Sequence, residues 1–148
     1  AGNGGVVFGS TAAGVVYLYR STGTDMIRFH VNGNVVGNIA TTTSSTSYGT
    51  SSDYRLKVNV ELLDGAVDRV LALPVHRFNW AVDAAGPQVD GFLAHEAAEV
   101  VPEAVIGEKD AVDEAGNPVF QNIDQSKLVP VLWAAVQELA ARVQALEA

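Results

Sequence analysis

The chain has 148 residues, 48% of them hydrophobic, no cysteine, and a formal net charge of −8. That apolar content suits a folded chain rather than a disordered one, and the lack of cysteine excludes a disulfide frame or a thiolate metal site. The acidic balance repels phosphate backbones and argues against nucleic-acid binding; no run of about 18 apolar residues marks a membrane span, and no basic-then-apolar leader opens the sequence.

Charge is unevenly distributed. Residues 1–51 carry Arg20, Arg28 and Asp25, a balance of +1, whereas 52–148 carry seven Lys/Arg and sixteen Asp/Glu, a balance of −9. The split supports two unlike units meeting near Ser52. The chain opens on Ala1 and its one methionine is Met26, so it is expected to be a segment of a longer protein.

Residues 1–40 alternate glycine-rich punctuation with short β-type runs, "GVVFG", "GVVYLYR", "MIRFHV" and "NVVGNIA". Val, Ile, Tyr and Phe favour strands, and "NGN" at 32–34 predicts a hairpin turn. Each run is too short to bury a core alone, so such strands are expected to pair, often with strands of other chains. "GNGG" at 2–5 lacks the following Lys-Ser/Thr of a phosphate loop and reads as a turn. Thr41–Ser52, "TTTSSTSYGTSS", has no apolar periodicity and reads as an exposed linker.

After Ser52 the pattern turns α+β. Asp64 is positioned to cap a short helix through Leu73, which Pro74 ends. Val75–Trp80 and Asp90–His95 read as strands around the turn "DAAGPQ". "HEAAEVV" reads as a short helix stopped by Pro102, and residues 109–124 as a hairpin about "EAGNP". From Ser126, the expected cap, a long helix begins with Pro130 tolerated in its first turn. Along it Val129, Leu132, Val136, Leu139, Val143 and Leu146 recur at spacings of 3 and 4, an a/d heptad seam. The bland alternative is one amphipathic helix packed on its own domain; three heptads favour self-association. Val at a with Leu at d leans towards two strands.

Candidate chemistry centres on "SSDYRLK". A serine hydroxyl is a weak nucleophile until its proton is removed. Lysine removes it only as a neutral amine, which requires its pKa to fall from ~10.4 through burial or a nearby positive charge; Arg55 is a candidate for that charge. The bland reading, which spacing alone favours, makes Asp53 a turn cap, Lys57 a solvated lysine and Ser52 part of the linker. The three histidines, His30, His76 and His95, give little: "HEAAE" at 95–99 ends on Glu99 where a zinc helix needs a second histidine. Glu108, Asp110, Asp113 and Glu114 lack calcium-loop spacing and read as a solvated face. No metal or other cofactor is expected. Trp80 and Trp133 read as core or interface anchors.

Taken together, "SSDYRLKVNVELL", "DGFLAHEAAEVVPEAV" and "SKLVPVLWAAVQELAARVQALEA" resemble, in order, three stretches of one family. These are the Ser-Asp-x-Arg-x-Lys signature, the Gly-Phe-Ile-Ala-Gln/His-Glu stretch and the C-terminal helix of the intramolecular chaperone domain of phage tail fibres and tailspikes, the S74 peptidase family. "RFHVNGNVVGNIATTTSSTSYGTSSD" resembles the fibre end that precedes it, so the likeness runs over roughly residues 26–148. Trp133 departs from it, standing where a smaller apolar residue is usual.

The resemblance implies an α+β fold: a β-rich fibre end, 1–51, then a small chaperone domain, 52–148, ending in a long helix at about 126–147. It implies an intertwined homotrimer with a helical bundle, which overrides the two-strand lean, with the seam residues in the trimer contact. It also implies a single-turnover, self-cleaving serine endopeptidase. Ser52 is the nucleophile, Lys57 the general base, Asp53 and Arg55 are supporting residues, and the cut falls between Ser51 and Ser52. The implied partners are two identical chains and the upstream fibre or spike body in cis, with no nucleic acid and no membrane. Residues 1–51 would stay on the virion tail fibre, while 52–148 would be released after assembly in the host cytoplasm. The alternatives are the same trimerising module without cleavage, and a receptor- or glycan-binding fibre tip.

Overall fold

The computed structural model describes the backbone of residues 5–9, 15–19, 23 and 25–148, and the side chains of 23 and 25–148. The expected turn at 2–5, apart from Gly5, and the run ends Gly14 and Arg20 lie outside these residues. The chain divides into two compact units, 1–60 and 61–148.

The first unit is built of antiparallel strands. β1 (Gly5–Gly9) pairs with β2 (Val15–Tyr19). β3 (Asp25–Val31), β4 (Asn34–Thr41) and β5 (Thr46–Thr50) form a separate sheet in that order. Val31 pairs with Asn34 across a two-residue loop, in which Asn32 and Gly33 have φ of 50° and 82°. Positive φ at both positions is the type I′ geometry that matches strand twist, so the Asn-Gly signal acts as expected.

The linker expected at 41–52 is corrected here. Thr46–Thr50 pairs with β4 from Gly37↔Thr50 to Thr41↔Thr46. Thr42 closes the intervening turn, its hydroxyl accepting from the Ser44 and Ser45 amides at 3.2 and 3.0 Å. A polar strand needs no apolar alternation when both its faces are exposed; its order comes from the β4 ladder, which local sequence does not reveal.

In the second unit three helices surround a small core. α1 (Ala66–Ala72), α2 (Ala94–Val100) and α3 (Val129–Glu147) are joined by two short ribbons. The first pairs β6 (His76–Phe78) with β7 (Val89–Gly91), and the second pairs β8 (Val105–Ile106) with β9 (Asn122–Ile123). Arg77 and Asp90 are register partners, and their side chains form a two-point ion pair at 2.7 and 3.1 Å. The core holds Ala66, Val67, Val101, Ala104, Leu128, Val131 and Ala135, with Leu73, Phe92 and Ile123 packed against it.

Several local expectations change. Asp64 does not cap α1: Gly65 occupies that position at φ 62°, and Glu138 of α3 accepts from the Ala66 and Val67 amides at 2.7 and 3.3 Å. Ser126 does not cap α3; Asp124 caps a 3₁₀ turn over Gln125–Leu128 that leads into the helix. Pro130 does lie in the first turn of α3. The hairpin expected at 109–124 reduces to one bridge, Val112–Pro118, around a turn organised by Asp113, because Asn122–Ile123 pairs with β8 instead. The strands are shorter than expected, and of the two elements read as sharing His95 it lies in the helix, α2. Trp80 and Trp133 are not core residues: both are exposed, and Trp80 meets Phe78 edge-on at a centroid distance of 5.3 Å.

Candidate functional site

Beyond β5 the chain makes a tight turn that draws the signature residues together. Ser51 is still held on the sheet: its amide donates to Val36 O at 3.1 Å and its hydroxyl to Val35 O at 3.2 Å. Asp53 then caps a 3₁₀ turn over Tyr54–Leu56, with the Leu56 amide donating to Asp53 O and the Lys57 amide to Tyr54 O, each at 3.1 Å. At three residues per turn this reverses the chain. Lys57 thereby returns over Ser52, and its Nζ donates to Ser52 Oγ at 2.8 Å.

The other two signature residues form a clamp within the same turn. Asp53 Oδ1 accepts from the Arg55 amide at 2.9 Å and from Arg55 Nε at 2.8 Å, while Oδ2 accepts from Nη2 at 2.7 Å. The Arg55 guanidinium holds the Asp53 carboxyl below its ordinary range, and the carboxylate in turn raises Arg55. Arg55 is therefore charge-neutralised by Asp53, which weakens the idea that it acts as a free positive charge on Lys57. Its visible part is to fix the turn that carries the lysine. Residues 51–60 are all exposed, so every one of these contacts faces solvent in the single chain.

This arrangement has two chemical requirements for acyl transfer, a hydroxyl and an amine within proton-transfer reach of about 2.6–3.2 Å. Neither group is buried in the single chain. Sequence reasoning named all four residues. It missed that Ser51, on the other side of the candidate bond, is pinned to β4 by two hydrogen bonds; the Thr-rich composition of the preceding strand was the available signal.

Residues 52–106 match the model of the Peptidase_S74 family, described as chaperone of endosialidase. The resemblance read from the sequence is thus shown over that stretch. The S74 match begins at Ser52, takes in the turn just described and extends through α2 to β8, well under half of the chain. It supports a chaperone role in fibre folding and the possibility of peptidase activity. No curated protein matches the chain.

The seam lies on α3, outside the S74 match. Val129, Leu132, Val136, Leu139, Val143 and Leu146 are 47–87% exposed. The chain's own core takes a different face of the same helix, through Leu128, Val131 and Ala135. The single-helix alternative therefore accounts for one stripe of α3 and leaves the heptad stripe uncovered. Sequence reasoning missed the second stripe, although its spacings of 3 and 4 are equally regular.

The remaining candidates resolve into structural contacts. Glu96 pairs with His76 at 2.6 Å rather than with His95. Asp113 accepts from the Ala115 and Asn117 amides, and its contacts with Asn117 keep its carboxyl below the ordinary range. Among the described residues no group of three His, Asp or Glu side chains can hold a metal, and no helix is long and apolar enough to cross a membrane.

Proposed function

We propose that the chain is a self-releasing folding module. Three copies gather through α3, template the folding of an upstream fibre, and then cut the Ser51–Ser52 bond. The observation that carries the chemistry is the 2.8 Å contact between Lys57 Nζ and Ser52 Oγ. In the cleaving state the amine is neutral and accepts the hydroxyl proton, and Oγ attacks the carbonyl carbon of Ser51. The nucleophile belongs to the residue whose own amide is cut, so attack closes a five-membered ring and needs little orientation. The C–N bond breaks, the proton passes to the Ser52 nitrogen, and an ester is left between Ser51 and Ser52 Oγ. Water hydrolyses that ester to a Ser51 carboxylate and restores the hydroxyl.

Assembly is the natural trigger. Fibre strands shared among three chains have no stable single-chain fold, and their contacts cost closure entropy before they form. Prior association of the C-terminal units raises the local concentration of those strands. The exposed α3 seam, together with Phe29, Val31 and Tyr48 exposed on the three-stranded sheet, supports the reading of a chain whose apolar surface is completed by other copies. Release then makes the fibre kinetically stable, since its folding template has left.

Intact mass of the full chain over time tests the cleavage. Wild type is expected to give two fragments divided at Ser51–Ser52, while Ser52→Ala and Lys57→Ala remain whole. If all three remain whole, the module assembles without cutting; if Lys57→Ala cuts at the wild-type rate, the lysine is not the base.

A further inference from the structure

We propose that an apolar groove beside α3 receives the Trp133 side chain of a second copy of this chain. The proposal rests on the trimeric reading above and names the contact that flanks its seam.

The groove lies between α1, α2 and the start of α3. Leu73, Val75, Phe92, Val100, Leu128 and Leu132 line it, and its volume of about 90 Å³ is several times the ~10–15 Å³ that one water requires. Arg69 is the one charged residue on its wall, and its guanidinium is directed to Val100 O, with contacts of 3.3 and 2.9 Å. Water in such a site has almost nothing to bond, so an apolar group gains by displacing it. Leu132 belongs both to the groove and to the seam, so the two surfaces are continuous.

Heptad geometry selects the occupant. With Val129 and Leu132 at a and d, Leu128 and Ala135 fall at g, Val131 and Glu138 at c, and Trp133 at e. The c and g side is the flank on which α3 meets its own domain. Trp133 stands on the opposite flank of the seam, 69% exposed. In a closed cyclic trimer the helices run parallel and in register, and e and g residues of neighbours flank the apolar seam. A g residue then faces the neighbour's e residue five positions on, which sets Leu128 against the neighbour's Trp133. Leu128 has helical backbone angles, φ −79° and ψ −23°, so the register extends back to it. An indole delivered to that point meets the groove. Tryptophan suits the role, because a rigid aromatic filling a desolvated pocket is a common interface anchor.

The test uses the full chain with Trp80→Phe, which leaves Trp133 as the sole indole. Sedimentation reports copy number and acrylamide quenching reports access to the ring. A trimer is expected whose emission is blue-shifted, with a quenching constant at least threefold below that of the same chain carrying Leu132→Asp and Leu139→Asp. Val75→Glu, at the exposed rim, should restore quenching and raise the concentration needed for assembly about tenfold or more. Trp133→Val should weaken assembly similarly without altering the groove. A trimer in which Trp133 is as accessible as in the Asp double variant, or in which Val75→Glu changes neither readout, overturns the groove contact alone. A chain that stays single-copy at every concentration overturns the trimer, and the groove contact with it.

Discussion

Glu138→Ala should destabilise the second unit through a helix seventy-odd residues earlier in the chain. Glu138 sits on α3, yet its carboxylate accepts from the Ala66 amide at 2.7 Å and the Val67 amide at 3.3 Å. Ala66 is fully buried and follows a glycine with no capping side chain. Removing the carboxylate leaves a buried amide without a partner, which costs about 1–3 kcal/mol. It also removes a negative charge from a helix N-terminus, about 0.3–1 kcal/mol more. The Arg142 contact, 3.8 Å away with the arginine largely exposed, adds little. The expected loss is about 2–3 kcal/mol, roughly 30- to 150-fold in the unfolding equilibrium. Glu138→Gln keeps an acceptor for Ala66 and should lose only about 1 kcal/mol. Urea unfolding followed by far-UV circular dichroism, at one fixed protein concentration so that the proposed assembly does not bias the comparison, measures both. An alanine variant within about 0.5 kcal/mol of wild type would refute the reasoning, as would a glutamine variant no better than alanine.

The remaining predictions concern cleavage and assembly. Leu132→Asp with Leu139→Asp should give a single-copy chain that does not cut itself, measured by sedimentation and intact mass; normal cleavage by that variant would separate chemistry from assembly. Arg55 lowers the Asp53 carboxyl in the folded chain, so the clamp's contribution is complete above the unfolded value of about 3.9 and is lost as pH falls through the lower folded value. Between pH 5 and 9 the clamp should therefore stay closed, with unchanged amide shifts over Tyr54–Leu56; a turn that opens within this range would contradict the clamp. Asp53→Asn should release the Tyr54–Leu56 turn, visible as altered amide shifts, and slow cleavage about tenfold or more, of the order of one charge-assisted hydrogen bond.

What could be read from the sequence was what short-range rules govern. Asn32-Gly33 dictates its own turn, Pro74 and Pro102 bound their helices, and the 3–4 spacing on α3 records a surface that its own domain leaves open. What escaped was set at a distance. Thr46–Thr50 is a strand because β4 offers it a ladder, and the cap of α1 comes from α3 rather than from the neighbouring Asp64. For the site, the motif gave the residue types but not their pairing. The Asp53–Arg55 clamp takes up the charge for which Arg55 was a candidate at Lys57, and only the geometry of the turn separates those two uses of Arg55.

That separation bears on how cutting is timed. A serine hydroxyl gives up its proton only to a neutral base beside it. With Arg55 engaged by Asp53, burial is a change of surroundings that would favour a neutral amine. Ser52 and Lys57 are in contact while both are exposed in the single chain. On the proposed assembly, surface from neighbouring copies would cover the turn and lower its dielectric surroundings. The same association that orders the fibre strands would then switch the amine from donor to acceptor, and no separate signal for completed folding is needed.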